Sequence, residues 1–407
     1  MVGTDDVSNG SAVAPCSNKE NSAGFTDGSR AFVEGVRGQL SDTHRVVRAF
    51  DIGGTGVKTA LVSSLALRKL LRLPGDETAA PNDDLEWLEP PSQLGFAPGS
   101  NGFAAWLLGA VPQLKDELSD PKVIFGIAVK GRIVHTTQTM RNWYAGGYSC
   151  QWGRDEPLIA DIMGLPRDRT FALHDGSAHL LACSRTLPPP PGLALFALGT
   201  GVGFAFTDAD GLMLDRLGNS GRHMLLGDEQ VATASYEGAW RSAPSGPVKK
   251  ALKRMVGQYG NMVSGRLGYE ALDLAKAAYA ASEGCSSDAA EAQAVQTYGE
   301  QWLHFLHTTF LPEFAGPARD ERYIMRRICF AGGVAEHNWP LLSKAVMEPG
   351  GQLRAVPATL ATPVSKSAHS APTVEVLRPA PRGSGLIGAA IYGLAGAGGA
   401  AVGIWSP

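Results

Sequence analysis

Between Phe50 and Val62 the chain reads Phe-Asp-Ile-Gly-Gly-Thr-Gly-Val-Lys-Thr-Ala-Leu-Val. An apolar lead-in (Val46, Val47, Ala49, Phe50) predicts a buried strand, and Val57, Ala60, Leu61 and Val62 resume one. Between them Asp51, Gly53, Gly54 and Thr55 predict a tight turn. Such a hairpin leaves bare N–H groups and small polar side chains around a concavity, which suits a phosphate group. Asp51 stands at its edge, where a carboxylate can hold Mg2+ or a water bound to it. An ordinary strand–turn–strand is the competing reading, and Lys58 either reaches the phosphate or solvates its strand. A second string, Gly199-Thr200-Gly201-Val202-Gly203, ends the apolar run 193–199 and leads into 204–206 as another hairpin. Two similar hairpins facing each other would enclose a polyphosphate from both sides.

The intervening pattern supplies the elements that must position these turns. A polar, proline-containing insert (about 73–100) precedes an amphipathic helix over 104–118 and a strand over 123–129. A loop with Trp143 and Trp152 follows, then a helix near 157–163 and a short strand over 170–173. That strand ends at His174-Asp175-Gly176, and a helix is expected over 177–185. Pro188–Pro191 marks a connection. From about 229 to 315 the period is helical, with apolar Trp302, Phe305, Leu306 and Phe310. A strand over 328–331 meets Gly332-Gly333-Val334, a surface loop fills 355–372, and a strand over 374–377 precedes a helix at 385–393. The last residues read as a loose tail. The alternation is α/β, twice over.

Composition narrows the function classes. The chain has 407 residues, 44% apolar and 18% charged, with a formal net charge of -3, which fits a soluble globular protein and argues against nucleic acid as a partner. No run approaches the ~18 apolar residues of a membrane span, so no membrane partner is expected. Five cysteines (Cys16, Cys150, Cys183, Cys285, Cys329) show no regular spacing. This argues against a disulfide framework or a Cys-based zinc site, and for a reducing, cytoplasmic location. Residues 1–44 are polar, rich in Ser, Gly, Asp and Asn, and read as a disordered leader.

Four strings in order along about 45–394 resemble the actin-like sugar kinases, specifically the ROK (repressor, ORF, kinase) family. Asp51-Ile52-Gly53-Gly54-Thr55 is similar to the family's first phosphate motif, with Lys58 at its usual basic place. Ala197-Leu198-Gly199-Thr200-Gly201-Val202-Gly203 is similar to the second. Ala331-Gly332-Gly333-Val334 resembles the nucleoside-binding motif, and Gly385-Leu386-Ile387-Gly388-Ala389-Ala390 the closing helix. The resemblance implies a two-domain actin-like ATPase (ribonuclease H-like) fold, with a ligand cleft between an N-terminal domain (45–174) and a C-terminal domain (175–407). It also implies ATP, Mg2+ and a hexose such as glucose, phosphorylated at its primary hydroxyl. Asn142, followed by Trp152 and Pro157-Leu158, is similar to the sugar loop, where Asn binds sugar hydroxyls. His174-Asp175-Gly176-Ser177-Ala178 resembles the family's Asn-Asp-Ala-Asn-Ala element, so Asp175 inherits the catalytic base and His174 adjoins the substrate. Asp175 also suits a helix N-cap, and both readings can hold at once.

The chain departs from that pattern in three places. The family's Gly-Glu-x-Gly-His element is Gly218-Asn219-Ser220-Gly221-Arg222-His223 here, which keeps His223 for the sugar and loses the acid. The Cys-rich zinc loop is missing, so no structural zinc is expected; Glu229 or Glu237 is left for the sugar-binding glutamate, and Glu237 is also readable as a solvated helical acid. Pro-Gly after the strand before the sugar loop becomes Lys130-Gly131-Arg132, two cations that either recognise an anionic group or face solvent. The competing functions are a non-catalytic ROK-like regulator, a degenerate kinase, and a kinase using polyphosphate instead of ATP. A homodimer through the apolar faces of 290–311 is a further expectation.

Overall fold

The computed structural model describes residues 26–53, 56–73, 85–95, 99–145, 148–152, 155–198, 202–214, 325–354, 374–377 and 379–406, with scattered helical positions between 289 and 311. β1 (Val46–Gly53) and β2 (Gly56–Ser63) form the expected hairpin, with Asp51 opposite Lys58 and Gly53 opposite Gly56. β4 (Val123–Val129) is apolar and buried at every position, as a strand covered on both faces must be. It lies parallel to β1, and β8 (Thr170–His174) lies parallel to β4. With β3 (Trp87–Gln93) outside β2, the sheet order is β3-β2-β1-β4-β8. A small antiparallel sheet of β5 (Gly131–Val134), β6 (Thr139–Ala145) and β7 (Tyr148–Gln151) branches from the end of β4.

The second sheet repeats the plan. β9 (Leu193–Leu198) and β10 (Val202–Phe206) make an antiparallel hairpin, and β12 (Arg327–Ala331) and β13 (Glu375–Val376) continue in parallel. Each sheet's last strand is followed by a helix: α6 (Asp175–Ser184) after β8 and α8 (Ser384–Ala397) after β13. α6 packs on β9 and β10 of the other sheet, while α8 packs on β1, β4 and β8. The two helices also pack on each other, so the central core (Leu180, Leu181, Ile387, Ile391 with Val47, Ala49, Leu195) belongs to both halves. A split at 174/175 therefore describes the chain's order, whereas α8 returns to the first sheet.

Several expectations are corrected. The leader to residue 44 contains α1 (Asp27–Ser41), capped by Thr26, whose Oγ1 accepts from the Ser29 amide at 3.2 Å. Phe32, Val33, Val36 and Leu40 are buried on one face of it, against α8 and the C-terminal segment. The 73–100 insert contains β3, whose Pro90 and Pro91 are tolerated because it is an edge strand. The helix expected over 104–118 is two, α3 (Phe103–Ala110) and α4 (Leu114–Ser119), divided at Pro112. The C-terminal tail is ordered: a 3-10 turn at Ala401–Ile404 leads into β14 (Trp405–Ser406), paired with β11 (Met213–Leu214).

The cysteine reading is also corrected, because Cys183 of α6 is disulfide-bonded to Cys329 of β12 across 146 residues. No local spacing announces a pair so far apart, and the case for a reducing location loses its ground. The apolar face offered for a dimer is largely internal where described: Val295, Trp302 and Leu306 pack with Phe196 and Phe330. Among the described residues no helix is long and apolar enough to cross a membrane.

Candidate functional site

Three parallel strands end at one edge of the first sheet, and the residues singled out by chemistry stand at those ends. Ile52, Val129 and His174 share the last register row, and Gly53, Lys130 and Asp175 are the residues that follow it in the three segments. The Lys130 amide donates to the Ile52 carbonyl at 3.1 Å, which closes the Ile52–Val129 pair. One pleat earlier stands the row of Asp51, Ala128 and Leu173. Paired residues share a face, which puts Asp51 on the same face of the sheet as Ala128 and Leu173. It is the face covered by α6 and α8, where Ala128 and Leu173 are buried.

Asp175 opens α6. His174 is the N-cap, and its Nδ1 accepts from the Gly176 amide at 3.2 Å; the Asp175 carboxylate accepts from the same amide at 2.7 Å. The N-cap expected at Asp175 is thus His174, and Asp175 is the first residue of the helix. Because Nδ1 accepts, the ring proton of a neutral His174 sits on Nε2, 3.2 Å from Asp175 Oδ1. Burial holds the His174 pKa below the ordinary histidine value, and His135, Lys130 and His179 push the same way against the pull of Asp175. For Asp175 burial pushes upward, yet His174, Lys130, His179 and the Gly176 amide together hold the carboxyl below its usual range. With 22% of its side chain exposed, Asp175 is an ionised carboxylate facing accessible space.

Asp51 behaves differently. Its side chain is 14% exposed, and burial raises its pKa, with the Asp175 charge adding to the rise and His179 and Lys58 opposing it. Lys58 lies across the hairpin with Nζ 3.9 Å from Asp51 Oδ2 and is 52% exposed, so it accompanies Asp51 from the solvent side. α8 comes so close that a Cβ on Gly385 would lie 2.8 Å from Asp51 Oδ2 and 3.3 Å from His179 Cε1. His179 Nδ1 is in turn 2.6 Å from Ser384 Oγ. Sequence reasoning omitted His179 as a site residue; its signal was the spacing Asp175–His179, which puts both on one helix face.

The nucleoside-motif glycines open α7 (Gly332–Val346). Gly332 has φ +83°, and a Cβ there would lie 2.6 Å from the Leu198 carbonyl oxygen, so the motif abuts the last residue of β9. Gly203 lies in β10, paired with Ala197. Asn142 lies in β6 opposite Arg132 and Gln151, on the small sheet that leaves β4 immediately after Lys130. Gly54, Thr55, Gly199, Thr200, Gly201, His223 and Glu237 lie outside the described residues.

Among the described residues no group of three or more His, Cys, Asp or Glu side chains gathers to hold a metal alone. Asp51 offers a single largely buried carboxylate, which fits an ion that keeps several waters and takes its remaining oxygens from phosphate. A separate cavity of about 430 Å3, bordered by Gln296, Glu300, Lys344 and Arg354, shares none of the residues at the strand ends.

No family model matches the chain, and no curated protein matches it. Solved structures similar to it include a ROK family protein from Streptococcus pneumoniae in complex with sucrose (14% identity, 86% of this chain and 98% of that one, TM-score 0.46). Others are a ROK family glucokinase from Streptomyces griseus in complex with glucose and AMPPNP (15%, 85% and 98%, TM-score 0.42) and a ROK family transcriptional regulator (13%, 90% and 88%, TM-score 0.45).

Proposed function

We propose that this chain is a sugar kinase that moves the γ-phosphoryl group of ATP to a hexose hydroxyl, with a glucose-like sugar and its primary hydroxyl as the leading acceptor. The observation that carries the reading is the pairing of Asp175, ionised at the head of α6, with Asp51 at the end of the neighbouring hairpin. Asp175 accepts the hydroxyl proton as the new bond forms, and neutral His174 fixes its orientation through Nε2–H. Asp51 is the residue that would hold Mg2+, through water; the ion would supply charge neutralisation on the phosphate oxygens. The glycine strings at 53–56 and 199–203 supply backbone donors in this reading. Asn142 with the β5–β7 sheet, His223 and Glu237 are assigned to the sugar, and the Gly332–Gly333 turn to the nucleoside.

The test is a coupled ADP-release assay with Mg-ATP against glucose, mannose, fructose, N-acetylglucosamine and N-acetylmannosamine, repeated with polyphosphate as donor. Turnover of one or two sugars is the expected result, and the polyphosphate arm identifies the donor. Absence of sugar phosphate with either donor, from a folded preparation, would exclude the proposal.

A further inference from the structure

Lys130 has no role in the site as assigned above, although it directly follows β4, which lies between the strand of the phosphate hairpin and the strand that leads into Asp175. Its side chain is half-buried, and among the described residues no carboxylate lies within ion-pairing distance of it. Its charge nonetheless acts on both Asp175 and His174. A half-buried cation with no carboxylate beside it is available to an incoming anion. Of the surrounding groups, the carboxylates Asp51 and Asp175 would repel a phosphoryl group, and a histidine kept neutral by burial offers it no charge. Lys58 is mostly exposed and already lies beside Asp51.

We propose that Lys130 contacts the phosphoryl group during transfer, which makes it a catalytic residue of the proposed kinase; the inference rests on that reading. In the step, the acceptor oxygen bonds to the γ-phosphorus while its proton passes to the Asp175 carboxylate. The bond from phosphorus to the bridging oxygen breaks, and its electron pair leaves on the diphosphate. Lys130 forms no covalent bond; it offsets the charge on the equatorial oxygens. The compact ammonium on a flexible stem suits a group that moves between two partners.

Two measurements on Lys130→Met and Lys130→Arg test this, with the sugar that turns over in the assay above. The first is kcat and KM from pH 6 to 9. Lys130→Met is expected to lose kcat by about 100-fold or more at every pH, as for loss of one transition-state donor, with KM for the sugar little changed. Lys130→Arg is expected to recover part of it. The second is calorimetric titration of Mg-ADP with sugar, with and without aluminium fluoride as the phosphoryl mimic. Wild type should bind tighter with the mimic, and Lys130→Met should lose that gain while keeping Mg-ADP itself. Recovery of kcat to the wild-type value at high pH would overturn the proposal, since Lys130 would then only hold Asp175 ionised among His174, His179 and the Gly176 amide. An undiminished mimic effect would overturn it equally. If Lys130→Met lowers the melting temperature, Lys130→Gln takes its place in both measurements. Wild-type protein that neither binds Mg-ADP nor turns over sugar would remove the kinase reading itself.

Discussion

At the residue scale, the sequence names the two carboxylates and the structure explains why they differ. Asp51 and Asp175 both lie at strand ends and both lose water, yet Asp175 is met by an amide, a histidine and a lysine, and Asp51 mainly by burial. His174 is the link whose charge state can be checked. Its folded pKa lies below the ordinary value of about 6.5, so the unfolded chain takes up a proton there that the folded chain refuses. Stability is therefore held above about pH 6.5 and lost as pH falls from there towards the folded pKa. The melting temperature of wild type should drop on acidification more steeply than that of His174→Asn, where asparagine can still cap α6. Equal slopes would mean that His174 is not held neutral. His179 and Lys130 were less legible than Asp175 because their importance comes from the strand and helix neighbours they acquire, not from a string they complete.

At the element scale, the packing of α8 on α6 and on the first sheet positions Asp51 against His179. That contact is built on missing side chains: a Cβ on Gly388 would lie 1.8 Å from the Ala178 carbonyl oxygen. Gly388→Val should therefore destabilise by more than about 3 kcal/mol, beyond the usual overpacking cost, measured by denaturant unfolding. Gly109→Ala on α3, where an added Cβ meets nothing within 4 Å, should instead be neutral or stabilising. Strands with a continuous apolar run, such as Val123–Val129, and the Asp51–Lys58 hairpin were legible because burial and turn chemistry agree locally. β3 was not, because Pro90 and Pro91 argue against a strand until its place at the sheet edge is known. The 385–404 segment read as half helix and half tail because its glycines mark close contacts, such as Gly403 against Gly28, that only the assembled fold reveals.

At the scale of the whole molecule, the first described helix closes on the C-terminal segment. α1 packs on α8 and the 401–404 turn, β14 pairs with β11, and the Cys183–Cys329 bond ties α6 to the second sheet. Composition concealed α1: Phe32, Val36 and Leu40 carry a helical period, but the polar residues before them dominate the segment. Phe32→Ala should cost about 3–5 kcal/mol, as expected for truncating a fully buried aromatic, and wild-type stability in that variant would mean α1 is dispensable. The closure holds three parallel strand ends in one register, and the proposed chemistry depends on that edge. The most direct measurement is kcat of Asp175→Asn beside its affinity for Mg-ATP, using the sugar that wild type phosphorylates. A fall in kcat of about 100-fold or more with nucleotide affinity preserved is the expected result. Near-wild-type kcat would contradict the assignment of Asp175 as the base and, with it, the proposed mechanism at the strand ends.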